Sequence, residues 1–280
     1  MEQLLEQAAL FIRQADAVAI FAGAGMGVDS GLEQYRGADG LWTKSITVDS
    51  QEINFEDLMK PMAFKEQPEL AWGLMGNRMK KYSSTTPHDG FAILRELLDH
   101  KEYFIVTSNI DEQFQTAGFN SHRIFEFHGS IFNTQCGERI ECGIWRTPHI
   151  TNSSESIHAD PPFPECSSCY SYCRPNVLLF DDENFAPDSS AEQQFRYMEW
   201  REQISSRSLN IVALEIGAGK TLPTIRRFAE RFAGDDYPLI RINPSDSETE
   251  HPGHISLPLG AIESLRQIKD SIEREDKPFI

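Results

Sequence analysis

Apolar and polar positions along the chain follow two different periods. Leu4, Leu5, Ala8, Phe11 and Ile12 recur at the spacing of one helix face. The same pattern predicts helices near residues 2–15, 88–99, 222–233 and 261–274. Between them lie short runs rich in β-branched and aromatic residues, at 17–21, 103–107, 124–127, 176–180, 210–216 and 239–243. Strands alternating with helices predict an α/β fold: a doubly wound, open and mostly parallel sheet covered on both faces. Such sheets bind ligands beyond the carboxyl ends of their strands. Four polar or glycine-rich clusters follow strands here, GAGMG (23–27), SNIDEQ (108–113), HGS (128–130) and GAGK (217–220), so loops from distant positions are expected to converge on one crevice.

Two segments interrupt this pattern. Residues 41–87 carry helical periodicity without a clear strand, and residues 133–174 hold all five cysteines and the polar stretch TNSSESIHADPP. The expected organisation is a sheet domain built from 1–40, 88–132 and 175–280, with a small domain formed by helical 41–87 and cysteine-bearing 133–174. No apolar run approaches the roughly 18 residues of a membrane span. Glu2 and Glu6 near the start are unlike a signal peptide. We therefore expect a cytoplasmic protein without a membrane partner, in which the cysteines do not form a disulfide framework. A net charge of −17, from 43 acidic and 26 basic residues, opposes binding to nucleic acid. It suits a basic partner such as a lysine-bearing segment, and equally a solvated acidic surface.

The glycines of the first loop, Gly23, Gly25 and Gly27, let backbone N–H groups approach a diphosphate or simply form a tight turn. Val28 breaks the dehydrogenase fingerprint. Gly219-Lys220-Thr221 imitates the end of an NTPase phosphate loop, but Leu214 stands where that motif needs its first glycine. Asn109 and Asp111 suit polar contacts to a ligand or plain turn and cap roles. His128 suits a general base or a hydrogen-bonded strand end.

Taken together and in order, GAGMGVDSGLEQYRG, TSNID, HGS, RPNVLLFDDE, IGAGK and RIN resemble the motifs of the sirtuins, the NAD-dependent protein deacylases, from about residue 17 to 261. The resemblance implies a Rossmann-like NAD domain with a small zinc-binding module and a helical insertion. It implies NAD contacts from Gly23, Ala24, Gly25, Tyr35, Arg36, Ser108, Asn109, Ile110, Asp111, Gly217, Ala218, Gly219, Asn243, Gly260 and Ala261. Tyr35 would wall off a reactive sugar carbon from water, and Arg36 would bear on the phosphate and ribose region. Asp111 would grip the nicotinamide amide, Asn109 a ribose hydroxyl or an ordered water, and His128 would act as base on a ribose hydroxyl. The implied partner is an acyl-lysine protein or peptide, with Phe180 on the strand that pairs with it.

Within that resemblance, Cys136 with Cys142 and Cys166 with Cys169 stand where the family places two zinc-binding pairs. Four thiolates make a closed, structural site. A redox role for the C-x-x-C pair is the alternative. Cys173 reads as the spare.

Several positions depart from the family. Glu33-Gln34 replaces Pro-Asp, Gly27 replaces a Ser, Ala218-Gly219 replaces Thr-Ser, and Asp181 replaces the Gly of FGE. Met75 and Arg78 lie three residues apart after Trp72, where sirtuins that prefer succinyl- and malonyl-lysine carry Tyr and Arg. The Arg implies a preference for acidic acyl groups, or is an exposed helix residue. The expected activity is acyl transfer from lysine to ADP-ribose with release of nicotinamide. NAD cleavage or ADP-ribosyl transfer without deacylation, and NAD sensing with weak catalysis, are the competing readings.

Overall fold

The computed structural model describes residues 1–33, 40, 45–48, 51–147 and 158–275. In chain order its elements are α1 (Glu2–Gln14), β1 (Ala17–Ala22), β2 (Ser45–Val48), β3 (Gln51–Asn54), α2 (Phe55–Leu58), α3 (Ala63–Glu66), α4 (Pro68–Ser84) and α5 (Asp89–Leu97). There follow β4 (Glu102–Thr107), α6 (Gln113–Thr116), β5 (Ile124–Glu126), β6 (Gly129–Cys136), β7 (Ile144–Arg146) and β8 (Cys173–Val177). The last are α7 (Asp188–Ser205), β9 (Ile211–Ile216), α8 (Thr224–Ala233), β10 (Leu239–Ile242), β11 (Ile255–Leu257) and α9 (Ala261–Glu275).

Six strands form a sheet in the order β11-β10-β9-β1-β4-β5, and every neighbouring pair is parallel. All six residues of β1 are buried, as a central strand with helices on both faces requires. Its side chains alternate between two cores. Ile20 joins Leu5, Ile12, Phe91, Leu94 and Leu265 under α1, α5 and α9. Ala19 and Phe21 join Phe104, Tyr197, Trp200 and Phe232 under α7 and α8. The doubly wound expectation holds.

A second body packs around Trp72, Phe64, Met75 and Ile131. Here β7-β6-β8 form an antiparallel sheet. The run at 176–180, read from its composition as one more strand of the alternating series, instead contributes its start to β8 in this small sheet. Strand composition does not specify a pairing partner. The boundary expected at 132/133 falls inside β6, all of which pairs within the small sheet. The segment 41–87 also contains the β2–β3 hairpin. Helix α7 was not legible in the periodicity, because exposed Phe195 and Met198 blur its buried stripe of Tyr197, Trp200 and Ile204.

Candidate functional site

The carboxyl ends of β1, β4, β5 and β9 lie along one edge of the parallel sheet, and the loops leaving them enclose a cavity of about 270 Å³. It is lined by Gly23, Ala24 and Gly25, by Ser108, Asn109, Ile110 and Asp111, by His128, and by Gly217, Ala218 and Gly219. All four loop clusters picked out in the sequence therefore meet.

The first and last of these loops cross backbone to backbone. Gly25 N donates to Gly217 O at 3.0 Å. A Cβ on Gly23 would stand 2.6 Å from Gly217 O, so a side chain there would drive the two loops apart. The loop after β4 is tied to the same place: Thr107 Oγ1 donates to Ala22 O (3.0 Å) and accepts from Asn109 N (3.0 Å), and Asn109 Nδ2 donates to Gly23 O (3.1 Å). Asp111 accepts from Gln113 N at 3.0 Å. Burial pushes its carboxyl up to about 6.

His128 sits between β5 and β6, its main-chain oxygen accepting from Leu178 N at 3.0 Å. The turn behind it needs glycine: Gly129 has φ 75°, and a Cβ would collide with Asn176 O. One strand position before Phe127, Glu126 is buried and raised to about 7, chiefly by desolvation. Gln193 bonds both its carboxylate (3.2 Å) and its main-chain N–H (2.8 Å).

Sequence reasoning missed the far wall, where Ser245 and Asp246 also line the cavity. Arg226 on α8 ties that wall to the glycine loop, donating to Ala218 O at 3.3 Å and to Asp246 O at 2.5 Å. The available signal was the placement of Asp246 just beyond a strand that ends at this edge. Asn243 serves the same wall, donating to Ala218 O (3.1 Å) and accepting from Asp246 N (3.0 Å). It is not among the lining residues, and neither are Gly260 and Ala261 at the start of α9. Asp29 accepts from Ile262 N at 3.0 Å and so holds α9 to the first loop. Tyr35 and Arg36 lie outside the described residues.

On the side of the second body, Glu33, Met59 and Tyr82 complete the cavity wall. Met75 and Arg78 are buried on α4 and do not line it. The burial of Arg78 removes the exposed-helix alternative. Its guanidinium stands 3.5 Å from Glu33 Oε2 and 3.5 Å from Tyr82 Oη, while Lys81 approaches the same Glu33 oxygen at 3.4 Å. Phe180 is half-buried, lies beyond the end of β8 and is not among the lining residues, whereas Val177 and Leu178 are. The amides of this stretch are engaged internally: Leu178 N with His128 O, Phe180 N with Met59 O (3.0 Å), and Leu179 N with Asp182 Oδ2 (3.2 Å). Asp182 also closes a fully buried ion pair with Arg174 at 2.6 Å.

The four expected metal-ligating cysteines converge. The sulfurs of Cys136, Cys142, Cys166 and Cys169 all lie within 4.8 Å of one another, with Cys169 3.6 Å from Cys136 and 3.8 Å from Cys142. Four thiolates about 2.3 Å from a tetrahedral zinc stand about 3.8 Å apart, so the donor set fits a structural zinc. Cys173 is buried nearby and is not one of the four.

Known proteins place this architecture. A profile of the Sir2 family matches residues 23–199. A relative from Leptospira interrogans named NAD-dependent protein deacylase is 32% identical over 168 residues, and the match covers 59% of this chain and 60% of that one. The chain thus spans well under two thirds of that relative's length. One from Daphnia pulex with the same name is 27% identical over 274 residues, covering 90% of this chain and 91% of its own. Among solved structures, a Sir2 homologue in complex with ADP-ribose superposes with a TM-score of 0.70 at 22% identity, covering 98% of each chain. A Sir2 homologue in complex with NAD reaches 0.66 at 24%, covering 96% of this chain and 94% of that one. At that identity the likeness speaks for the fold. With four motif loops around one cavity, a four-cysteine module beside it and a family profile spanning more than half of its length, the chain belongs to the Sir2 family.

Proposed function

We propose that the chain is a cytoplasmic NAD-dependent protein-lysine deacylase that transfers the acyl group of an acyl-lysine to ADP-ribose and releases nicotinamide. The observation carrying this reading is that Asn109, Asp111 and His128 line the same cavity as Gly23–Gly25 and Gly217–Gly219. Bound NAD would supply a ribose carbon made electrophilic by the cationic nicotinamide ring, which departs as neutral nicotinamide. The crossed glycine loops leave room for a diphosphate against the backbone. Asp111 accepts hydrogen bonds from the nicotinamide amide, orienting the leaving ring. Asn109 commits its Nδ2 to Gly23 O, so its Oδ1 is the atom for a ribose hydroxyl or a water. His128 takes the proton from a ribose hydroxyl. The relatives named NAD-dependent protein deacylases support the same reading.

The test is nicotinamide release from NAD with and without an acyl-lysine peptide. Release that requires the peptide, and that His128→Ala abolishes without loss of fold, is the expected result. Running acetyl- and succinyl-lysine peptides in the same assay addresses the acyl group. The resemblance sets Arg78 against acidic acyl tails, so faster turnover of the succinyl-lysine peptide is the expected result. Equal rates on both peptides, unchanged in Arg78→Ala, would count against it.

A second reading has its own support. Leu178, Leu179 and Phe180 follow the end of β8 and spend their amides inside the chain, which leaves this stretch fewer donors for pairing with a substrate peptide. NAD cleavage or ADP-ribosyl transfer without deacylation follows if nicotinamide is released equally well without peptide.

A further inference from the structure

Arg146 ends β7, four residues after Cys142, and β7 is fixed by antiparallel pairing to β6, with Arg146 opposite Asn133. Its guanidinium lies 5.0 Å from the ring centroid of Phe132. The fork then closes on Glu112, with Nη1 to Oε1 at 2.5 Å and Nη2 to Oε2 at 2.8 Å. The same carboxylate accepts from Ser130 Oγ at 2.6 Å.

Glu112 is the neighbour of Asp111 in the chain, and Ser130 lies two residues beyond His128. One carboxylate therefore joins both loops that carry the proposed chemistry, and one arginine joins that carboxylate to the strand anchored at the cysteine cluster. Glu112 also holds a left-handed backbone conformation, φ 54°, which a residue with a side chain keeps only when its surroundings hold it there. An ordinary surface ion pair contributes little. This one differs on the acceptor side: Arg146 is 61% exposed, but the Glu112 side chain is only 17% exposed and receives three hydrogen bonds, two of them from a planar fork that fixes direction as well as distance.

We infer that Arg146 and Glu112 form a positioning strut through which the cysteine module holds the Asp111 loop and the His128 turn in register. Neither residue touches the reacting atoms. Through the strut, a metal held by the cysteines would bear on the geometry of the cavity.

Hydrogen–deuterium exchange on the zinc-loaded chain tests the strut without substrate. Arg146→Ala is expected to retain its zinc while amides in 109–113 and 129–131 exchange several-fold faster. Arg146→Lys, with one charge and no fork, falls between the two. Withdrawing zinc from the parent chain with a chelator speeds the same amides. Parent exchange rates in Arg146→Ala, loss of zinc from that variant, or unchanged rates after chelation would each overturn the inference. The kinetic arm rests on the deacylase reading. There kcat falls roughly 10- to 100-fold with the peptide KM within about three-fold, and Glu112→Gln combined with Arg146→Ala falls no further than Arg146→Ala alone. Multiplicative losses would mean that the two residues act separately. A parent chain with no deacylase activity would count against the proposed function while the exchange arm still decides the strut.

Discussion

At Asp111 a missing hydroxyl has an electrostatic consequence. Gly27 replaces the Ser of the family motif, and a Cβ built there stands 3.7 Å from Asp111 Oδ2. A hydroxyl at that place would donate to the carboxylate and favour its charged form. With glycine, burial dominates and the carboxyl is raised from 3.8 to about 6. Between those values the folded chain holds the proton more tightly than the unfolded one, so this group's contribution to stability is lost as pH rises through that window. The grip on a nicotinamide amide needs the opposite form, the charged acceptor. NAD affinity, measured by titration calorimetry across pH 5 to 8, is therefore expected to weaken below about 6. In Gly27→Ser the acidic limb should move to lower pH, and in Asp111→Asn it should vanish. A limb that stays in place in both variants would remove Asp111 from the nicotinamide site. That Asn109, Asp111 and His128 would meet was legible because each follows a strand, while their roles came only from the resemblance to the sirtuins. Glu33 opposite Arg78 and Glu112 opposite Arg146 were not, since each pair joins residues more than thirty apart that only the fold brings together.

The cysteine module is the element where spacing and geometry agree most closely. Two short turns bring four sulfurs within 4.8 Å, and a bound cation would hold them there as thiolates. Cys173, on β8 opposite Cys136, is as buried as Cys136 and Cys166, while Cys142 and Cys169 are half-buried, so burial alone does not tell a ligand from a core residue. Sulfur convergence does. Zinc content measured after gel filtration should be unchanged in Cys173→Ser and lost in Cys142→Ser. Zinc retained in Cys142→Ser and lost in Cys173→Ser would exchange their roles. Other elements were harder to read in advance. The run at 176–180 has the composition of a strand in either sheet, and only the antiparallel register with β6, slipped by a bulge between Ser130 and Thr134, assigns it to the small one. The helices of the large domain were legible because α1, α5, α8 and α9 each turn one apolar stripe to the sheet. In α7 the stripe is diluted by Phe195 and Met198 on the outer face.

Across the whole molecule, the alternation of strand and helix set a parallel sheet, though it placed 176–180 there wrongly and missed β11, and the rule that loops at its carboxyl edge bind ligands brought four clusters to one cavity. What composition adds is charge. A chain at −17 carries a net negative field, and a field of this kind raises the encounter rate of oppositely charged ligands while leaving the bound chemistry unchanged. The proposed substrate bears its acyl group on a lysine whose own charge the acylation has removed, so attraction must come from the residues that flank it. Acyl-lysine peptides flanked by Lys or Arg should therefore have the higher kcat/KM at low ionic strength, and should lose roughly ten-fold as salt shortens the screening length to about 8 Å. Peptides flanked by neutral residues should change little, and kcat should hold in both series, because saturation removes the encounter step. Equal salt responses in the two series would mean that the acidic surface serves solubility and does not select the substrate.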